Sequence, residues 1–160
     1  MTTTERETPT ISVRALNPGD LDDIVRIDGK LTGRSRRAYY KVMLQSALGE
    51  GVRVSLGAEL GGTFVGFLIG SVYYGEYGQP EPFATLETVG VHPDFRSKGV
   101  ASALWEQFAT NLKGLRITKV QTQVDWNDTG LVRFFDHVGF RHSSRICLER
   151  ALDQTTVEES

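Results

Sequence analysis

The stretch from Ala84 to Leu112 constrains the fold more than any other part of the chain. A strand-like run, Ala84–Val91, is stopped by Pro93. Gly99 follows, and Val100, Leu104, Phe108 and Leu112 then recur along one stripe of a helix, with Ala101 and Trp105 beside it. That spacing is a helix face. A strand, a short turn and a helix in this order belong to an α/β layer architecture.

The flanking segments fill in the order of elements. Ile11, Val13 and Ala15 alternate with polar neighbours, as in a half-buried strand. Asn17-Pro18-Gly19-Asp20 reads as a turn with Asp20 as N-cap of a helix carrying Ile24, Ile27 and Leu31, which Gly33 ends. Ser35 is placed to cap a second helix, with Tyr39, Val42, Met43 and Ala47 on its inner face. A strand is expected to begin at Val52, turn at Gly61-Gly62 and return from Phe64 to Tyr74. Gly75 to Pro82 reads as a loop. After the helix at Val100, Val120, Thr122 and Val124 alternate on a further strand. Leu131, Phe134, Phe135 and Val138 mark an amphipathic helix with Gly139 at its end, and Phe140–Arg150 makes a last strand. The order β-α-α-β-β-β-α-β-α-β predicts a mixed, mostly antiparallel central sheet flanked by helices, unlike a doubly wound Rossmann pattern. One domain is expected over residues 11–152, between loose polar termini at 1–10 and 153–160.

Composition narrows the function classes. The chain has 160 residues, 39% apolar and 24% charged, with a net charge of -2, which fits a packed domain and supplies no basic field for nucleic acid. One cysteine, Cys147, excludes an internal disulfide framework, and with three histidines it leaves little for a structural zinc site. No apolar run approaches the ~18 residues of a membrane helix. The opening residues are polar and threonine-rich, unlike a signal peptide, so the expected location is the cytoplasm.

The chemistry is concentrated in Val89-Gly90-Val91-His92-Pro93-Asp94-Phe95-Arg96-Ser97-Lys98-Gly99-Val100-Ala101-Ser102. A helix opening at Gly99 presents N–H groups with no intrahelical partner and the positive end of its dipole, an anion site suited to a pyrophosphate. Gly99 permits close approach of phosphate to backbone, Arg96 and Lys98 add charge, and small Ala101 keeps the entrance clear. Lys98-Gly99 reverses the order of a Walker A loop, and no G-x-G-x-x-G opens a helix here.

Arg96-Ser97-Lys98-Gly99-Val100-Ala101 resembles the R/Q-x-x-G-x-G/A signature of GNAT-type N-acetyltransferases, which bind acetyl-coenzyme A. The strand Leu86–Val91 with His92-Pro93 after it fits the same pattern, and Phe134-Phe135-Asp136-His137-Val138-Gly139-Phe140 resembles the family's F-Y-E-K-x-G-F ending. The resemblance implies that Val89, Gly90 and Val91 pair with the pantetheine arm in a gap between splayed strands. It implies that Ser97 to Ser102, with Val100 and Ala101 among them, hold the pyrophosphate. A backbone N–H near Val89 or Gly90 would stabilise the oxyanion as an acceptor amine attacks the thioester directly. The acceptors consistent with the resemblance are a protein N-terminus, a lysine or a small amine; the alternatives are an acyl-CoA sensor without turnover and a transferase of longer acyl chains.

The amine must be deprotonated, and Glu87 is the first candidate for the base, directly or through water. Alternation puts Thr85, Glu87, Val89 and Val91 on one face unless a bulge intervenes. The other reading of Glu87 is a carboxylate that binds the substrate ammonium or pairs with an arginine. The resemblance sets Phe135 against the cofactor, where family members often carry a tyrosine that protonates the departing thiolate; Tyr73, Tyr74 or Tyr77 are substitutes that spacing does not separate. Asn127 and Asp128 fall where the family has an asparagine touching the cofactor, and either also suits a helix cap. Arg34, Arg36 and Arg37 border the acceptor region implied by the family, with Asp20, Asp22, Asp23 and Asp28 as neutralising neighbours. Cys147 reads as core packing in the last strand, and His92 as a surface turn residue. A homodimer, with the last strand as contact edge, is left open.

Overall fold

The structure is a computed structural model that describes residues 10–49, 52–75, 78 and 80–153. The strands are β1 (Ile11–Ala15), β2 (Leu56–Leu60), β3 (Thr63–Tyr73), β4 (Phe83–Val91) and β5 (Val120–Thr122). The helices are α1 (Leu21–Thr32), α2 (Arg37–Ala47), α3 (Val100–Gly114) and α4 (Thr129–His137), with single 3-10 turns at Pro18–Asp20 and Pro93–Phe95. The chain divides after Asp125 into two compact units.

The first unit holds a five-stranded sheet in the order β1-β2-β3-β4-β5. Neighbours are antiparallel up to β4, and β5 lies parallel to β4, as the α3 crossover requires. Gly61 and Gly62, both at positive φ, make the tight turn between β2 and β3. Phe67 and Ile69 of β3 pack with Ile24, Ile27, Tyr40 and Leu44 of α1 and α2. On the other face, Val100, Leu104, Phe108 and Leu112 of α3 are 0–2% exposed, the stripe expected from their spacing. Gly66 and Gly70 of β3 lie under this helix: a Cβ on Gly70 would stand 2.7 Å from the Phe108 ring.

Several local expectations are corrected. Strand β2 starts at Leu56 rather than Val52, because the buried Ser55 hydroxyl bonds both the N–H and the C=O of Gly70 in place of a backbone ladder. Asp20 is the N-cap residue of α1, yet its carboxylate does not cap that helix. It is drawn to Arg14, at 2.8 Å, and to the Asn17 N–H that closes the preceding turn. Helix α2 has Arg36 rather than Ser35 at its N-cap, and of its expected inner face Met43 and Ala47 pack against the core while Tyr39 and Val42 do not. Tyr40 and Leu44 are buried, while Tyr39 and Val42 are 47% and 67% exposed.

In the second unit Asp128 caps α4 by accepting from the Leu131 N–H. Gly139, at φ 101, ends the helix: its N–H reaches the Asp136 carbonyl, and the Phe140 N–H reaches that of Phe135. The Phe135 and Phe140 rings meet at 5.0 Å, the apolar contact that accompanies this kind of stop. The last strand expected over Phe140–Arg150 does not form among the described residues; Ile146 and Leu148 are more than 80% exposed. Alternation alone does not make a strand without a ladder partner. Cys147 is accordingly exposed, not core.

Candidate active site

Two departures from regular structure shape β4. The first is a bulge. Ile69 pairs with Thr88 and Gly70 with Leu86, which leaves Glu87 as the extra residue on β4. Because paired residues share a face, Thr88 joins Ile69 on the α1–α2 side and Val89 joins Leu68 on the α3 side. Strict alternation therefore fails at this point. Thr85 and Glu87 stay together, and Val89 and Val91 turn to the other face.

The second departure is an open edge. Strand β5 pairs only with Ala84, Thr85 and Leu86, and the Thr122 hydroxyl bonds the Leu86 carbonyl where the pairing ends. Glu87 to Val91 run on with no partner strand on that side among the described residues. The sheet thus offers backbone groups of Val89, Gly90 and Val91 to an extended ligand.

The turn into α3 continues from that edge. The His92 N–H bonds the Val65 carbonyl, and its Nδ1 accepts from the Asp94 N–H at 3.1 Å. His92 is 6% exposed, which corrects the expectation of a surface residue: its ring staples the turn against Phe95. Arg96, Ser97, Lys98 and Gly99 are all exposed. Ser97 and Gly99 both adopt left-handed backbone, at φ 63 and 83. The first intrahelical bond runs from the Ala103 N–H to the Gly99 carbonyl at 3.0 Å, so the N–H groups of Val100, Ala101 and Ser102 have no partner within α3. No side chain caps them, and a Cβ on Gly99 would meet nothing within 4 Å. A cluster of N–H donors without helix partners, next to the exposed Arg96 and Lys98 and to clear space at Gly99, is a geometry suited to a pyrophosphate.

Glu87 is exposed on the α1–α2 face. Thr85 Oγ1 donates to its Oε1 at 2.7 Å, and the Tyr73 hydroxyl donates to the same oxygen at 3.4 Å. Of the three tyrosines weighed as proton donors, Tyr73 alone is placed beside Glu87 by a hydrogen bond; Tyr74 is 63% exposed, and Tyr77 lies outside the described residues.

The arginine cluster is divided. Arg36 forks onto the buried Asp28 carboxylate, whose Oδ1 also accepts from the Tyr40 hydroxyl at 3.0 Å. Arg37 pairs with Asp22 on the surface, while Asp20 and Asp23 serve Arg14 and Arg26 instead. Arg34 is exposed.

Glu87, Val89–Val91 and Arg96–Ser102 all belong to the first unit. Asn127, Asp128 and Phe135 belong to the second, where Asn127 is exposed, Asp128 is engaged as a cap and Phe135 packs on Phe134 and Phe140. The partners of Glu87 escaped the sequence reading, although a threonine two residues before it on one strand was the available signal. Asp28 and Asp22 do neutralise arginines of the cluster as expected, and the burial of Asp28 follows from its place on the apolar stripe with Ile24 and Ile27, where a carboxylate needs a partner.

Solved structures share this arrangement of elements. An aminoglycoside N-acetyltransferase in complex with CoA is 18% identical and superposes with a TM-score of 0.76 over 92% of this chain and 98% of that one. A transcriptional regulator from Bacillus halodurans is 22% identical, with a TM-score of 0.74 over 89% of this chain and 99% of that one. A ribosomal-protein-alanine N-acetyltransferase from Brucella melitensis biovar Abortus is 19% identical, with a TM-score of 0.72 over 89% of this chain and 100% of that one. These likenesses carry the fold. The model of the Acetyltransferase (GNAT) family matches residues 23–140, a span that contains the β4 bulge, the open edge and the turn into α3. The chain belongs to the GNAT family of acetyl-CoA-dependent N-acetyltransferases.

Proposed function

We propose that this chain transfers the acetyl group of acetyl-CoA to a primary amine by direct attack, with Glu87 as the base. The observation that supports it most is the continuity of the open β4 edge with the uncapped start of α3. Val89, Gly90 and Val91 pair with the pantetheine arm. The N–H groups from Ser97 to Ser102 bind the pyrophosphate, with Arg96 and Lys98 beside them. At neutral pH a free alkylammonium, of pKa near ~10.4, is protonated and cannot attack. Glu87 removes one proton, directly or through water, and returns it to solvent. The amine nitrogen then bonds to the carbonyl carbon, the C–S bond breaks, and the second proton reaches the departing sulfur through water. A thiol of pKa near ~8.5 tolerates that route.

The site and the relatives support an acceptor with a free amine. The α1–α2 face around Glu87 receives the amine, and the similar structures include enzymes named for aminoglycosides and for a ribosomal protein's alanine. Thiol release measured with acetyl-CoA against lysine, tyramine, an alanyl peptide and an aminoglycoside tests the reading. Release that depends on an amine, with the acetylated amine found by mass spectrometry, supports it. Tight acetyl-CoA binding with no release for any of them favours the sensor reading, for which the regulator-like structure and the absent tyrosine at Phe135 speak.

A further inference from the structure

We propose that Thr85 is a positioning residue for Glu87: it fixes one carboxylate oxygen so that the other faces the acceptor amine. The inference rests on the base reading of Glu87 and deepens it. The bulge pushes Glu87 out of the ladder and exposes it, and an exposed glutamate samples many rotamers. A base delivered by such a side chain would spend most of its time out of line.

The structure supplies the restraint on the same face. Thr85 Oγ1 donates at 2.7 Å and the Tyr73 hydroxyl at 3.4 Å, and both reach Oε1. Hydrogen bonds to a charged acceptor are the strong kind, and the shorter one carries most of the restraint. No hydrogen bond is formed by Oε2 among the described residues. The carboxylate is therefore held by one oxygen and presents the other to solvent and substrate.

Each holder is itself fixed. Thr85 is in β4 where the strand is paired on both sides, with Ser71 of β3 and Gln121 of β5. Its branched side chain has few rotamers. Tyr73 stacks on Phe83 at 5.4 Å between ring centroids, which holds its hydroxyl over the same oxygen. The base is thus aimed by Tyr73 of β3 and by a residue of β4 paired on both sides, one position before Leu86, where the double pairing ends and the edge opens for the donor.

The test is a double-mutant cycle read with the fastest amine of the panel above. Thr85→Val keeps shape and strand preference but removes the donor, and kcat is expected to fall about tenfold, the size of one lost charge-assisted bond, with KM for acetyl-CoA unchanged. Tyr73→Phe is expected to lower kcat by only about two- to threefold, given its longer bond. Thr85→Ser restores the donor and is expected to recover most of the rate. Glu87→Gln alone is expected to lower kcat by about 10²–10⁴. In that background Thr85→Val has nothing left to aim and changes nothing further. Should Thr85→Val fail to fold, Thr85→Ala set against Thr85→Ser carries the same comparison. Wild-type kcat in Thr85→Val, or an equal fall with and without Glu87→Gln, overturns the positioning role while Glu87 remains the base. Wild-type kcat in Glu87→Gln overturns the base reading and this inference with it.

Discussion

Asp28, Arg36 and Tyr40 show how one buried carboxylate organises its surroundings. Asp28 is 3% exposed. Burial would raise its carboxyl, but the hydrogen bonds from Arg36 and Tyr40 and the charges of Arg36 and Arg34 outweigh that and hold it below the usual carboxylate range. Its contribution to stability is present in full above about 3.8 and is lost as pH falls through the lowered folded value. The Tyr40 phenol is pushed up to about 12, by burial first and then by the Asp28 charge, against opposing effects from Thr88 and Arg36. A raised phenol works in the other direction: its contribution is full below the ordinary value near 10 and is lost as pH climbs to about 12. Ultraviolet titration of the wild type minus Tyr40→Phe is expected to give one phenol ionising at about 12. A difference curve centred at the ordinary value of 10 contradicts the buried placement. At this scale the sequence offers Glu87 as a candidate from its place in the run before the Arg96–Ala101 signature. Its hydroxyl partners were not legible, since Tyr73 is brought to it by strand register and side-chain packing.

At the scale of elements, periodicity succeeded where one stripe had a single reading. Val100, Leu104, Phe108 and Leu112 admit one phase, and all four are buried. In α2 Met43 and Ala47 pack on the core as expected, but the adjacent Tyr39 and Tyr40 admit two phases; the Asp28 carboxylate and the Phe67 ring, 5.8 Å from that of Tyr40, select Tyr40 rather than Tyr39 for the interior. The bulge was illegible because Leu86-Glu87-Thr88-Val89 reads equally well as regular alternation with one mismatch. The register shift falls across the ladder, at Gly70. Gly70 leaves the α3 face of β3 without a side chain, and the Phe108 ring occupies the space. Gly70→Ala would set a methyl 2.7 Å from that ring and 2.9 Å from the Thr85 carbonyl, and neither can yield without moving α3 or β4. The expected cost is about 1–3 kcal/mol of stability, seen as a lower Tm, as for other overpacked cores. An unchanged Tm would mean that α3 does not press on β3 as described.

For the whole molecule, the family pattern was legible because its parts sit at intervals along the chain that the fold must preserve: a strand, a turn opening at Gly99, and a helix stopped at Gly139-Phe140. The Phe140–Arg150 segment shows the limit of such reading, since its alternation identifies apolar residues but not a partner to pair with. The central claim is that one continuous backbone surface, from the open edge of β4 into the start of α3, holds the acetyl donor. Amide chemical shifts followed while acetyl-CoA is added test it residue by residue in the unmodified protein. The account predicts that the amides of Val89 to Val91 and of Ser97 to Ser102 shift together, saturating at one stoichiometric site, while those of β1 and β2 stay still. Saturable acetyl-CoA binding that leaves both of those segments unmoved would contradict it.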